Sequence, residues 1–151
     1  NTQVMLAEKR NLSLNAGVGW RIPTGSRRFG NNVFAAQPQL NLWTDVGSGF
    51  SLRGRVAYEF ADSGAPDSFV MNAAIGQTFT PHDRAPLGDL TWYVAGNWRE
   101  FDNGPTFLSV TPGVRTHLGG NLFLLGGIEI PVTNSNRIYR EAFTVQLVQG
   151  F

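Results

Sequence analysis

The sequence contains no cysteine and no long apolar run, and it has few charged residues. Without cysteine, structural disulfides and thiolate metal ligands are excluded. No run of about 18 apolar residues is present, so a transmembrane helix is not expected. Charged residues make up 15% of the chain, compared with roughly 25% in ordinary soluble domains. The 151 residues therefore suit one domain with an unusually uncharged surface.

The positive and negative charges nearly balance, with 12 Lys and Arg against 11 Asp and Glu. A net charge of +1 favours neither a nucleic acid nor an acidic partner. The mean hydropathy of −0.14 would suit a soluble protein, but a membrane sheet with alternating faces averages out in the same way. The sequence starts without Met or a secretory signal, so we expect a processed form or a piece of a longer chain.

Apolar and polar residues alternate with a period of two through most of the chain. The clearest segment is residues 11–22, where Leu14 and Val18 alternate with Asn15 and Gly19. Such alternation predicts β-strands with one apolar and one polar face. The other segments are residues 33–45, 50–60, 69–80, 90–99, 107–117, 121–132 and 142–151.

These segments are long, and their apolar faces carry no charge. Each has roughly 9–13 residues, near the length of a tilted transmembrane strand, whereas soluble strands usually have about 5–6. No Asp, Glu, Lys or Arg falls on any apolar face, and one at the lipid midplane would cost about 2–4 kcal/mol. The pattern predicts an all-β, antiparallel up-and-down transmembrane β-barrel of about eight strands.

The N-terminal residues allow two interpretations. Residues 2–8 could form a further strand, with residues 9–11 as a tight turn. We divide the chain into residues 1–10, an N-terminal arm or extra strand, and residues 11–151, the barrel domain. Eight strands are favoured, because nine is unusual for bacterial barrels. A ninth strand would make the chain part of a larger barrel or require a partner edge, because lipid does not tolerate an unpaired edge.

Aromatic residues are expected near both rims of the barrel. Residues 45–50, 80–89 and 117–121 are turn-rich. Phe151 closes an aromatic final strand, as is common in outer-membrane barrels, so these turns would be periplasmic and the other loops external. The expected lipid-interface aromatics are Trp20, Phe34, Phe50, Tyr58, Phe79, Trp92, Trp98 and Phe151.

Charged residues on the polar faces would point into the barrel. An eight-stranded barrel is only wide enough for side chains to fill, and an unpaired buried charge is costly. We therefore expect arginines and glutamates to pair in a packed polar core, with a narrow cationic pore or ligand pocket as the alternative. The expected interior network consists of Arg53, Arg55, Glu59, Arg99, Arg115 and Glu129.

Catalytic and metal-binding patterns are nearly absent. His82 and His117 fall at the predicted periplasmic turns, whereas outer-membrane lipid hydrolases and acyltransferases use His and Ser near the outer leaflet. Two histidines far apart in sequence are also more often polar turn residues than metal ligands. We expect no enzyme activity, no cofactor and no metal.

Three stretches resemble one family of outer-membrane proteins. Residues 14–25 read LNAGVGWRIPTG, a strand followed by a PTG loop, and residues 111–114 (TPGV) and 126–133 (GGIEIPVT) look like closing strands. They are similar to the phenol-degradation MetA-pathway family of transporter-like proteins. The resemblance implies a barrel and, loosely, transport of hydrophobic solutes, and it supplies no catalytic residue.

Three functions from different classes follow. The favoured one is a structural anchor or complex-forming subunit in the bacterial outer membrane, with outer-membrane lipid and a protein partner or second copy as its partners. A channel or transporter of small solutes is the second. The third is a soluble β-barrel that binds a hydrophobic ligand inside, but 18 glycines and few charges count against a water-exposed polar face. A nucleic-acid partner is not expected.

Overall fold

The computed structural model describes residues 2–22, 33–62, 65–133 and 141–149. These residues form a single sheet of nine antiparallel strands and contain no helix. The described residues therefore offer no candidate for a membrane-spanning helix. The strands are β1 (Thr2–Lys9), β2 (Leu12–Arg21), β3 (Ala35–Gly47), β4 (Phe50–Ala61), β5 (Ser68–Thr78), β6 (Gly88–Phe101), β7 (Thr106–Gly119), β8 (Leu122–Pro131) and β9 (Ala142–Gln149).

Each strand pairs with the next one along the chain, so the sheet is an up-and-down meander. This confirms the predicted all-β, antiparallel architecture. The number of strands is nine rather than the favoured eight, because residues 2–9 pair with β2 from Thr2 opposite Val18 to Lys9 opposite Leu12. The extra-strand interpretation of the N-terminal residues is therefore the one that the structure adopts. Within the described residues β1 and β9 are not neighbours, so the sheet is not closed.

The sheet buries its polar face and exposes its apolar face. On the apolar face of β4, Val56 is 44% and Phe60 53% exposed. On the polar faces, Glu59 of β4 is 7% and Ser109 of β7 0% exposed. The few buried apolar side chains of the described strands, such as Val70, also lie on the polar face. An antiparallel sheet in a soluble protein has the opposite arrangement, with the apolar face against the core.

The sheet curls toward its polar face, because polar-face residues from β3 to β8, such as Gln37, Arg55 and Glu129, line one cavity. Long side chains on this face also reach across an intervening strand. Arg21 of β2 lies 3.1 Å from Glu59 of β4, across β3. The Tyr93 hydroxyl of β6 donates to the Gly126 carbonyl of β8 at 3.4 Å. The polar side chains thus line the inside of the curve.

Tight turns join the strands at one end of the sheet, which we call the turn end. Gly47, Ser48 and Gly49 between β3 and β4 have φ values of 90°, 55° and 76°. Gly119 and Gly120 between β7 and β8 have φ values of 132° and 56°. Glycine adopts such left-handed conformations without steric cost, which explains why glycine recurs here. We call the opposite end, where the chain leaves β2, β4, β6 and β8, the loop end.

Two prolines within the described strands, Pro38 and Pro112, each interrupt the ladder on one side. Pro38 is opposite Val18 of β2, but the pairing of β3 with β4 skips it. Pro112 is opposite Val94 of β6, and the pairing of β7 with β8 skips it. Proline has no N–H to donate to a ladder. The register is the same on both sides of each gap, so each proline makes a local gap in the ladder rather than a bulge.

Replacing Gly113 with alanine should destabilise the sheet. A Cβ atom at Gly113 would collide with the Tyr93 phenol ring and would lie 2.6 Å from the Gly126 carbonyl oxygen. We expect Gly113→Ala to lower the free energy of unfolding by about 1–3 kcal/mol, measured by urea denaturation in detergent. Gly96→Ala is the matched control, because its Cβ would meet nothing within 4 Å. Equal losses in the two variants would contradict this packing.

Candidate functional site

The polar face lines a cavity of about 690 Å³ toward the loop end of the sheet. This volume lies within the roughly 300–1,000 Å³ of typical small-molecule sites. Strand alternation places Arg55, Glu59, Arg99 and Glu129 on its wall, because these residues occupy polar-face positions of β4, β6 and β8. The cavity wall therefore carries charged groups from three strands.

The predicted interior network divides into two groups. Arg55, Glu59, Arg99 and Glu129 line the large cavity. Arg53 and Arg115 do not line it, and both line a smaller cavity of about 180 Å³ closer to the turn end. A further cavity of about 310 Å³ has both Arg53 and Arg55 on its wall. The guanidinium of Arg115 lies 4.2 Å from the centroid of the Phe123 ring, an arrangement that favours a cation–π interaction.

Glu59 is the centre of the ion pairs. Its Oε1 accepts a hydrogen bond from Arg21 Nη2 at 3.1 Å, and Arg99 Nη1 lies 3.9 Å from the same oxygen. Arg21 was not assigned to the network from the sequence, although its polar-face position on β2 was the available signal. Two arginines from β2 and β6 thus share one buried carboxylate of β4.

Glu129 is held by a hydroxyl group. The Ser109 Oγ atom donates to Glu129 Oε1 at 2.5 Å, and Ser109 itself is fully buried. The serine hydroxyl thus gives a partner to one acceptor of a half-buried carboxylate. Glu129 also lines the large cavity.

Asparagine pairs cross the polar face at the level of Arg55. Asn41 Nδ2 donates to Asn15 Oδ1 at 2.9 Å, and Asn72 Nδ2 donates to Asn97 Oδ1 at 2.9 Å. Arg55 is opposite both Asn41 and Asn72 in the register, so it lies between the two pairs. These pairs were not predicted from the sequence, because they depend on the register between β2 and β3 and between β5 and β6.

Arg55 is the cavity arginine with a buried N–H that lacks a hydrogen-bond partner among the described residues. Among the described residues, Gln37 Oε1 accepts a hydrogen bond from its Nη2, and its Nε is buried with no hydrogen-bond partner. A guanidinium has five N–H donors, and Glu59 is bound by Arg21 and Arg99 rather than by Arg55. Arg55 therefore lies on the same cavity wall as Glu59 without an ion pair to it among the described residues, and its partners in the register are amides.

At the turn end, the 79–87 connection folds back against β7. His82 Nδ1 lies 2.7 Å from Asp89 Oδ2, and the His82 and His117 rings stack with centroids 4.1 Å apart and an interplanar angle of 11°. His117 Nδ1 lies 2.9 Å from the His82 carbonyl oxygen, and its Nε2 lies 2.6 Å from that of Gly120. The two histidines, which are far apart in sequence, thus form one cluster.

This cluster favours a protonated histidine over a metal site. Ligand atoms of His82, Asp89 and His117 lie within 4.8 Å of one another. However, the two rings are stacked, so their nitrogen lone pairs lie in parallel planes and do not converge on one ion. Both His117 nitrogens also face carbonyl oxygens. Carbonyl oxygens accept hydrogen bonds from N–H groups, which favours a ring with both nitrogens protonated. The carbonyl groups of His82 and Gly120 raise the pKa of His117 above its ordinary value, and they outweigh burial, which lowers it.

The predicted interface aromatics form a band at each end of the apolar face. At the loop end, the Trp20 and Phe34 ring centroids are 6.0 Å apart, and those of Tyr58 and Phe60 are 4.8 Å apart. We call this group, with Trp98, the loop-end band. Phe151 lies outside the described residues.

The turn-end band consists of Phe50, Phe79 and Trp92. Phe50 and Trp92 are opposite the same residue of β5, Gln77. The Trp92 indole Nε1 lies 3.4 Å from Gln77 Oε1, which gives a partner to the amide that interrupts the apolar face of β5. His117, opposite Gly88 in the register, lies beyond this band, among the turns.

Comparison with known proteins gives one match. A family model described as "Putative MetA-pathway of phenol degradation" matches residues 4–147, a range that extends from β1 into β9. No curated protein and no solved structure matches this chain.

The His117 contacts should make stability depend on pH. Because the folded-state pKa is raised, the contribution of His117 is fully present below its unfolded pKa of about 6.5 and is lost as pH rises through the folded value. We expect the difference in unfolding free energy between the wild type and His117→Asn to shrink from pH 5.5 to pH 9, measured by urea denaturation. A difference that stays constant or grows with pH would contradict the protonated cluster.

Proposed function

This chain belongs to the family described as "Putative MetA-pathway of phenol degradation", and we propose that it forms the wall of a β-barrel in the bacterial outer membrane. In this proposal the apolar face contacts lipid, and the polar interior binds or passes small solutes without catalysis. One observation carries the proposal: the large apolar side chains of one face are exposed, whereas the buried residues of the described strands, such as Glu59 and Ser109, lie on the polar face.

The exposed apolar face is too extensive for a protein surface in water. Soluble monomers seldom expose contiguous apolar patches larger than a few hundred Å², and each Å² of apolar surface left in water costs about 25 cal/mol. Here the exposed residues recur on every strand of the described sheet. They include Val4, Trp20, Leu40, Val56, Ile75, Val94, Val114, Leu124 and Val145. Lipid would cover this face without further protein.

The spacing of the aromatic bands matches a bilayer. Phe50 and Phe60 lie on the same face of β4 at opposite bands, ten residues apart in sequence. At about 3.3 Å per residue they are about 33 Å apart along the strand. With a strand tilt of about 40° the height is about 25 Å, close to the apolar band of outer-membrane barrels. We propose that the turn end is periplasmic and the loop end is external.

The exposed edge strands β1 and β9 support an anchoring or complex-forming function. β1 and β9 are exposed along almost their whole length, and in lipid their free N–H and C=O groups require partners. Each edge could pair with the other, with a further strand or with a second copy. The cavity of about 690 Å³ favours a role for the interior itself, so binding or passage of solutes is the first candidate and assembly through the edges is the second.

Arginine substitutions on the two faces of β9 test whether the apolar face contacts lipid. Val145 and Gln146 are adjacent and both exposed, but Val145 is on the apolar face. We expect Val145→Arg to destabilise the folded protein in lipid vesicles by about 2–4 kcal/mol, measured as urea midpoints and heat-modifiable gel migration. Gln146→Arg is the matched control and should fold as the wild type does. If both variants behave alike, or if the wild type folds as a soluble monomer without detergent, the membrane wall is wrong.

Conductance in planar bilayers separates passage from anchoring. If the interior passes solutes, purified protein should give steady single-channel currents, because its polar wall holds water and charge. Heat-unfolded protein is the control and should give none. Protein that inserts fully but never conducts would contradict passage and leave binding or anchoring as the role of the interior.

A further inference from the structure

We propose that the large cavity binds a small organic monoanion, a carboxylate attached to a flat apolar body, with the carboxylate held by Arg55 and Arg99. This rests on the proposed function in one respect: it names the class of solute that the interior takes. Three features of the cavity carry it, namely the unmet donors of Arg55, the local charge and the apolar part of the wall.

The first feature is the N–H group of Arg55 that lacks a hydrogen-bond partner in the described part of the chain. Arg55 donates to Gln37 and is flanked in the register by Asn41 and Asn72, and its Nε has no partner among the described residues. A buried N–H donor without an acceptor is costly. Guanidinium groups bind carboxylates through two parallel N–H···O bonds, which gives both strength and orientation. A carboxylate in the cavity would supply the acceptors that the amides around Arg55 do not.

The local charge indicates a monoanion. Arg55 and Arg99 line the cavity with Glu59 and Glu129. Arg21 lines an adjoining cavity with Arg55 and Glu59, and it pairs with Glu59. Three cations against two carboxylates leave one positive charge. A ligand with one negative charge neutralises this group, whereas a phosphate dianion would leave an excess of negative charge.

The wall also has an apolar side suited to a flat body. Val70, Phe101, Pro105 and Phe107 line the cavity together with the arginines. The Arg99 guanidinium lies 5.7 Å from the centroid of the Phe101 ring, so a charged group and an aromatic surface are adjacent. A carboxylate at the arginines would place an attached ring against this side, where burial of its apolar surface adds to binding.

Benzoate is the probe. Equilibrium dialysis of labelled benzoate against folded protein in detergent, with a protein-free detergent blank, should show saturable binding at one site. Benzamide has nearly the same shape without the charge, and we expect it to compete at least about tenfold more weakly, as loss of a charge-assisted hydrogen bond would produce. This comparison uses the wild-type protein and does not depend on the folding of any variant.

Two variants of the same strand locate the site. Arg55→Gln should weaken benzoate binding at least about tenfold. Arg53→Gln removes the same charge from the same face of β4, but Arg53 does not line the large cavity, so its binding should be unchanged. If Arg55→Gln does not fold, Arg99→Gln replaces it with the same expectation.

The outcomes separate this inference from the proposed function. Absence of saturable benzoate binding, equal binding of benzamide, or equal effects of Arg55→Gln and Arg53→Gln would overturn the inference even if the protein inserts into vesicles. Conversely, benzoate binding can be measured on any folded form of the chain, so it does not depend on insertion into a membrane. A protein that folds without lipid and still binds benzoate through Arg55 would refute the membrane wall and support the anion site.

Discussion

The exposed apolar face is the constraint on which the rest of the structure depends. In β4, Val56 and Phe60 face outward, while Arg55 and Glu59 face the enclosed side. A strand with a period of two places its residues on opposite faces, so a shift of one residue would exchange every inward and outward side chain. The environment of the apolar face therefore decides the register, the curvature and the content of the interior.

Enclosing the polar face requires that its hydrogen-bonding groups find partners across strands. The asparagine pairs and the Ser109–Glu129 bond meet this requirement with short, neutral or singly charged contacts. Glu59 meets it by binding two arginines. Arg55 Nε and Ser68 Oγ are the exceptions among the described residues. Arg55 lies on the wall of the large cavity, which connects the requirement for polar partners with the proposed solute site.

Much of the fold could be predicted from the sequence, because strand alternation is local. The first strand was the least certain, since the register shifts between Met5 and Ala7 and interrupts the alternation there. The stacking of His82 on His117 could not be predicted, because it depends on how the 79–87 connection folds against β7. That Arg55 and not Arg53 lines the large cavity likewise depends on curvature, which has no signal in the spacing of residues.

The most direct test of the account is the accessibility of nitroxide labels on the apolar face. The sequence has no cysteine, so single cysteines at Leu14, Val56 and Leu124 can be labelled without background, with Thr144 as a polar-face comparison. In vesicles the account predicts that the first three labels relax strongly with lipid-dissolved oxygen and weakly with a water-soluble nickel chelate, and that the Thr144 label does not share this preference. Labels at Leu14, Val56 and Leu124 that are accessible to the nickel chelate and protected from oxygen would contradict it.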